Sequence, residues 1–392
     1  MNVLWVGDAV VNSGFSVVTH NICNHLYKKC KLEVFGIRYN QRVEYDYPYR
    51  IYPGETSGDI YSFDYLPKVI EKAKADVVVL FNDDHIIERY LALLSGTKAK
   101  IVPLFPINLL PLDKERILGF SNSIYNVAKI MTYTDFAKKE VKKINPNLEV
   151  HAVYHGVDRT VFSPLPEAKY ELGLKDYFVV GNVNVNTYRK RVDLFLEGFA
   201  KFAKGKEDVK CLIHAINNDV AYNLPMIIND LGIADKTILS PSSIEFSGMN
   251  LLYNLMDVNV NTSLGEGFGL SLVEGAACGI PILCAEHGNL VDIWGNNADY
   301  IGIERSEYVA GTVFKGSVIS VDDFADKLDR LYADRLYLAE RKRCVLGASK
   351  DPKFNWSTIA DKVFKVLSTG NSGKISYVSD YKLETDTKFD LF

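Results

Sequence analysis

A chain of 392 residues has room for two or three domains at about 100–200 residues each, which excludes a small disulfide-stapled module. Charged residues make up 24% and apolar residues 47%, with a formal net charge of -4. This globular balance excludes both a disordered chain and a nucleic-acid binder working through excess base, so an anionic ligand must be held by a local site.

The six cysteines (Cys23, Cys30, Cys211, Cys278, Cys284, Cys344) are scattered, without the C-x-x-C or Cys/His spacing of metal and redox sites, and several sit inside apolar runs, where they read as buried free thiols. The opening MNVLWVGDAV is too short an apolar run for a secretory leader. No stretch approaches the roughly 18 to 20 apolar residues of a membrane span. The expectation is a cytoplasmic protein without a transmembrane segment.

In chain order, short β-branched runs alternate with segments of helical period, the pattern of parallel sheets covered by helices. Strands are expected at 3–7, 33–37, 77–81, 101–105 and 129–133. Between the second and third of these, residues 39–65 carry seven tyrosines with Pro48, Pro53, Gly54 and Gly58, and read as irregular. Tyrosine faces stack on sugars, but packing of a long surface loop is the preferred reading. In the stretch HGVDRTVFSPLPEAKY, Gly156, Pro164 and Pro166 interrupt the periodicity and mark a domain join.

Further strands are expected at 177–181, 209–214, 237–239, 258–261 and 280–284. After Arg191, the residues Val192, Phe195, Leu196, Phe199 and Phe202 fall on one helical face. Residues 322–343 read as a charge-laced helix with a solvated face. The fold class is therefore α/β, with two doubly wound parallel-sheet domains, 1–160 and 161–367, facing each other across a cleft, and a polar tail, 368–392.

The chemistry is concentrated in NTSLGEGFGLSLVEGAACGIPILCAEHGN, residues 261–289. It reads strand, glycine-rich turn, helix, strand. Gly265, Gly267 and Gly269 let backbone approach a ligand closely, and the N–H groups at a helix start favour a phosphate. The spacing is not the G-x-G-x-x-G of dinucleotide sites, which disfavours a nicotinamide or flavin enzyme. Glu266 and Glu274 stand eight residues apart. They either line one ligand site, with Glu274 accepting two hydroxyl hydrogen bonds, or merely complement the helix end.

The segment EGFGLSLVEGAACGIPIL resembles the E-x7-E motif of the retaining GT-B glycosyltransferases related to glycogen synthase, sucrose synthase and bacterial lipid mannosyltransferases. VYHGVDRTVFSP, GNVNVNTYRKRVDLFLEGFAKF and FNWSTIADKVFKVL are similar to that family's domain join, phosphate-binding strand and helix, and C-terminal tryptophan helix. The resemblance implies two Rossmann-like domains and transfer of a hexose, with retained configuration, from a nucleoside-diphosphate sugar to a glycan or other hydroxyl acceptor. GDP-mannose is the first expected donor and UDP-glucose the second. Glu274 would hold the ribose; Glu266 would contact the donor sugar; Gly267, Phe268, Gly269 and Leu270 would offer backbone N–H groups. Lys190 would neutralise the diphosphate, Gly14 would belong to the loop approaching the donor, and Ser242 and Ser243 would lie near the base.

The sequence departs from the family pattern in three places. Asn182 and Asn184 stand where an arginine is usual, leaving Arg189 to compensate. Ser13 and Gly14 replace a pair of glycines. Phe81 falls where a histidine is common, and His85 follows four residues later, so that His85, Asp83 or Asp84 lines the acceptor side or caps a helix. No D-x-D pair occurs, which favours a site with no metal and no cofactor, built on Lys190, Arg189 and a helix N-terminus. The competing expectations are a nucleotide-sugar epimerase of the same fold and a non-catalytic nucleotide-sugar or carbohydrate-binding protein.

Overall fold

A computed structural model describes residues 1–55, 58–216, 221–240, 244, 246–309 and 311–369. The chain forms two compact units. The first is built from Met1–Ile107, Leu112–His155 and the chain from Trp356; the second from Asn108–Pro111 and Gly156–Asn355. The split therefore falls at His155 rather than after residue 160. The helix Trp356–Ser368, expected in the second domain, belongs to the first, where it packs on the helix Gly14–Leu26. Most of the expected tail, from residue 370 on, lies outside the described residues.

The first unit carries β1 (Asn2–Asp8), β2 (Lys31–Ile37), β3 (Arg50–Gly54), β4 (Val77–Phe81), β5 (Lys100–Phe105), β6 (Ile130–Thr132) and β7 (Val150–Ala152). They make one parallel sheet in the order β3-β2-β1-β4-β5-β6-β7. The segment 39–65 is not irregular throughout, because β3 lies inside it. Pro53 is tolerated there because β3 is an edge strand, where a missing N–H costs no ladder bond on the open side. Its tyrosines pack: Tyr39, Tyr49 and Tyr52 are buried, and Tyr47 stacks on His20 with ring centroids 3.8 Å apart.

The second unit carries β8 (Phe178–Val185), β9 (Val209–Ile216), β10 (Thr237–Leu239), β11 (Val258–Asn261), β12 (Ile282–Ala285) and β13 (Asp299–Ile301). Their order is β10-β9-β8-β11-β12-β13, again parallel, beside an antiparallel hairpin of β14 (Ile303–Tyr308) and β15 (Lys315–Ile319). In each sheet the strand order reverses once, at β1/β4 and at β8/β11. The carboxyl ends of such a pair diverge and leave a crevice for ligand.

The apolar face after Arg191 is core, as its period predicts: Phe195, Phe199 and Phe202 meet Phe324, Leu328 and Leu331. The charged segment 322–343 is thus not simply a solvated face. It is two helices, Val321–Ala333 and Arg335–Ala348, meeting at Asp334, and the first buries an apolar stripe beneath its charges. All six cysteines are free thiols, four of them buried. Among the described residues no helix is long and apolar enough to cross a membrane.

The helices Val192–Ala203 and Val321–Ala333 pack closely through Gly198, where an added Cβ would stand 2.0 Å from Phe324 Cδ1. An aromatic ring in a filled core cannot withdraw by that amount without moving its neighbours. Gly198→Ala is expected to lower stability by about 1–3 kcal/mol, read as a lower urea midpoint at unchanged slope.

Candidate donor-binding site

The site of the second unit grows from the ends of β8 and β11. After β8 the chain makes a 3-10 turn, Tyr188–Lys190, and enters the helix Val192–Ala203 through Arg191, whose φ of 49° is left-handed. Three successive cations at a helix start oppose the macrodipole, and the structure separates them. The Arg191 guanidinium is held by Asp193 at 2.9 Å and by Glu307 of β14 at 3.1 Å. Arg189 and Lys190 turn instead to the glycine-rich turn that follows β11.

There Lys190 Nζ donates to Glu266 Oε2, while Arg189 Nη1 donates to the Gly265 carbonyl at 2.6 Å and lies 3.6 Å from the same carboxylate. Ser263 Oγ donates to Glu266 Oε2 at 3.3 Å. Burial alone would raise the Glu266 carboxyl, but Lys190 and Arg189 outweigh it and hold it at about 2. Lys190 is pushed down by burial, an effect that the charge of Glu266 partly reverses. Backbone bonds lock this arrangement: Leu264 N–H donates to the Arg189 carbonyl at 2.8 Å, and Thr262 Oγ1 to that of Arg191 at 2.9 Å.

The glycines divide their work. A Cβ on Gly265 would stand 2.0 Å from the Asn108 carbonyl oxygen, so the close approach at this position is made by the chain's own backbone rather than by a ligand. Gly269, at φ +82°, begins the helix Leu270–Ala277 in a conformation an L-residue adopts only with strain. Between them Phe268 is buried, its ring edge-on to Phe354. Phe268 therefore shapes the turn from the core side; at the helix start Leu272 N–H donates to the Gly269 carbonyl at 3.0 Å, and the N–H groups of Leu270 and Ser271 precede the first intrahelical bond.

Glu274 lies in the second turn of that helix, too far along to serve only as a helix-end charge. Tyr253, on the helix Phe246–Asn254, donates its hydroxyl to Glu274 Oε2 at 2.7 Å. Burial raises the Glu274 carboxyl to about 7, against the lowering effect of that hydrogen bond.

Ser242 and Ser243 lie outside the described residues. Asn182 is a strand-bridging residue, donating to the Val260 carbonyl at 3.1 Å and accepting from Asn184; Arg189 carries the second cation of the site. In the first unit, Gly14 is the exposed first residue of its helix, after Ser13, which donates to Asp8 Oδ2 at 2.8 Å and accepts from Ser16 N–H. His85 is exposed in the first turn of the helix Asp84–Leu93, with Nδ1 3.8 Å from Asp84 Oδ1. Asp84 also pairs with Arg116, at 3.1 Å, and Asp83 occupies the N-cap position without a side-chain capping bond. Sequence reasoning missed Tyr253, Glu307, His287 and Asn289, which complete the site from other elements.

Residues 166–369, just over half of the chain, match the family model described as glycosyl transferases group 1, and the chain belongs to that family. It is similar to D-inositol 3-phosphate glycosyltransferase of Mycobacterium marinum, with 25% identity over 252 residues, covering 63% of this chain and 51% of that one. The chain thus spans about half the length of this curated relative. Among solved structures, sucrose-phosphate synthase of Thermosynechococcus elongatus superposes with a TM-score of 0.75 at 14% identity, over 93% of this chain and 97% of that one. HepE of Anabaena, solved in complex with UDP-glucose, superposes with a TM-score of 0.72 at 14% identity, over 93% and 99%. The fold is the GT-B fold of two parallel-sheet α/β domains.

The Glu274 environment has a consequence for stability. An unfolded carboxyl titrates near 4.5 and this one near 7, so between those values the native state keeps a proton that the unfolded chain releases. Glu274 therefore costs stability as pH rises through that window, by about 3 kcal/mol in all. Glu274→Gln should raise the denaturant midpoint relative to wild type at pH 8 but not at pH 4.5. Tyr253→Phe, which removes the opposing hydrogen bond, should lower it at pH 8.

Proposed function

We propose that the protein is a retaining glycosyltransferase that moves a hexose from a nucleoside-diphosphate sugar to a glycan or other hydroxyl acceptor without a metal. The observation that carries this reading is the convergence of Lys190 and Arg189 on the glycine-rich turn at the N-terminus of the helix Leu270–Ala277. Fixed cations and oriented N–H groups in a partly water-excluded site stabilise the charge that develops on a departing diphosphate. Both cations already stand at the turn, and binding the diphosphate asks of Lys190 only a partial exchange of its bond to Glu266.

In this reading Lys190, released in part from Glu266, and Arg189 bind the diphosphate. Glu266, kept ionised, accepts from hydroxyls of the hexose, and Glu274 accepts from the ribose. Gly267 and Gly269 let the turn approach the phosphates. Ser242 and Ser243 keep the place beside the base that the resemblance implies, as Gly14 and His85 keep the donor loop and the acceptor side in the first unit. The acceptor hydroxyl attacks the anomeric carbon from the face the phosphate leaves. The bond from that carbon to the phosphate oxygen breaks as the new glycosidic bond forms, and the hydroxyl proton passes to a phosphate oxygen. GDP-mannose and UDP-glucose are the donors to test first; the UDP-glucose bound by HepE supports including the second.

The direct test is a thermal shift with GDP, UDP, GDP-mannose and UDP-glucose in the presence of a chelator. A ligand at a hundred times its dissociation constant should stabilise the protein by about 2.7 kcal/mol, and no response to any of the four would overturn the reading. Because the ionised Glu274 accepts ribose hydroxyls more strongly than the protonated acid, donor affinity should rise as pH passes through about 7, and Glu274→Gln should be weaker and flat. The roles of the ion pair separate by a double variant. Lys190→Ala alone strands a buried carboxylate and should cost about 3–5 kcal/mol. Lys190→Ala with Glu266→Gln should recover most of that stability while transfer remains lost.

A further inference from the structure

We propose that His287 recognises the transferred hexose, its Nε2 forming a hydrogen bond with a hydroxyl of the donor sugar beside Glu266. The inference rests on the donor-site reading above and assigns it one further residue.

His287 lies in the turn between β12 and the helix Gly288–Trp294, with extended backbone, and its side chain caps nothing. The turn is fastened to the glycine-rich turn: two residues on, Asn289 Nδ2 donates to the backbone carbonyl of Glu266 at 2.9 Å. The imidazole is close enough to Glu266, Arg189 and Lys190 to feel all three charges. Its Nε2 is shielded from solvent and has no hydrogen-bond partner among the described residues. Buried polar atoms in native proteins are nearly always paired, and the exceptions concentrate where a ligand completes the pairing.

The chemistry of the missing partner follows from the ring's state. Burial holds the imidazole neutral, down to about 4, with the pull of Glu266 opposed by Arg189 and Lys190. A neutral imidazole can present Nε2 as donor or as acceptor, according to tautomer. This suits a hydroxyl, which both gives and takes a hydrogen bond. A diphosphate, by contrast, is served better by the two full cations already at the turn. With Glu266 accepting from one sugar hydroxyl and His287 engaging another, the pair would read the hexose rather than the nucleotide.

The test is calorimetric titration of wild type, His287→Ala and His287→Gln with UDP, GDP, UDP-glucose and GDP-mannose. The alanine variant should bind the preferred nucleotide-sugar about 10-fold more weakly while its affinity for the matching nucleoside diphosphate stays within about twofold. Glutamine, whose amide also donates and accepts, should recover most of the loss. Equal weakening of the sugar-bearing and sugar-free ligands, or no weakening, overturns the proposal. If the alanine variant fails to fold, His287→Phe fills the space without a polar nitrogen and should show the same split. A wild type that binds none of the four ligands overturns the donor-site reading itself and this inference with it, so the two failures are distinguishable.

Discussion

The charge pair of Lys190 and Glu266 is the constraint around which the second unit is arranged. Neither partner is stable in that environment alone, because an ion removed from water is tolerated only against an opposite charge with its remaining hydrogen-bonding capacity met. The surroundings meet that demand from four elements. The 3-10 turn presents the cation, Ser263 and Arg189 share the carboxylate, Asn289 holds the Glu266 backbone, and Glu307 removes the third cation, Arg191, from competition. A buried ion pair is often no more stabilising than well-packed apolar residues of similar volume, whereas removing one partner alone is costly.

The two acidic residues of the motif are chemically opposite although they share one helix and its preceding turn. Glu266 is forced into the ionised form by adjacent cations, whereas Glu274, among the described residues, faces a tyrosine hydroxyl and no cation, and burial decides its state. One stretch of nine residues thus carries a permanent anion and a carboxyl poised near neutrality. The difference arises from what β8 and the helix Phe246–Asn254 bring to each, since the residue type is the same.

The central strands of the first sheet were legible in the sequence because, buried on both faces, they read as continuous apolar runs, whereas β11 of the second sheet alternates valine with buried asparagine. The runs at 77–81 and 101–105 coincide closely with β4 and β5. Edge strands have no such requirement: β3, in a tyrosine- and proline-rich stretch, and the three-residue β7 and β13 show no pattern strong enough to separate them from loop. The same holds for the site. The turn and the two glutamates announce themselves locally, as does the YRKR cluster. That Lys190 closes on Glu266, and Tyr253 on Glu274, depends on pairings 76 and 21 residues apart, which spacing within one segment cannot reveal.

The close approach at Gly265 also bears on how the two units are made. The backbone that crowds it belongs to Asn108–Pro111, which sits in sequence within the first unit yet packs with the second, where Leu110 accepts a backbone bond from Lys315 at 2.7 Å. The last described helix makes the reverse exchange. Each unit therefore includes a segment from the far side of residue 155, so a cut there would not divide the chain into its two units. The helix Trp356–Ser368, which packs on Gly14–Leu26, follows the whole of Gly156–Asn355 in the chain, so the first unit receives it only after the main segment of the second has been made.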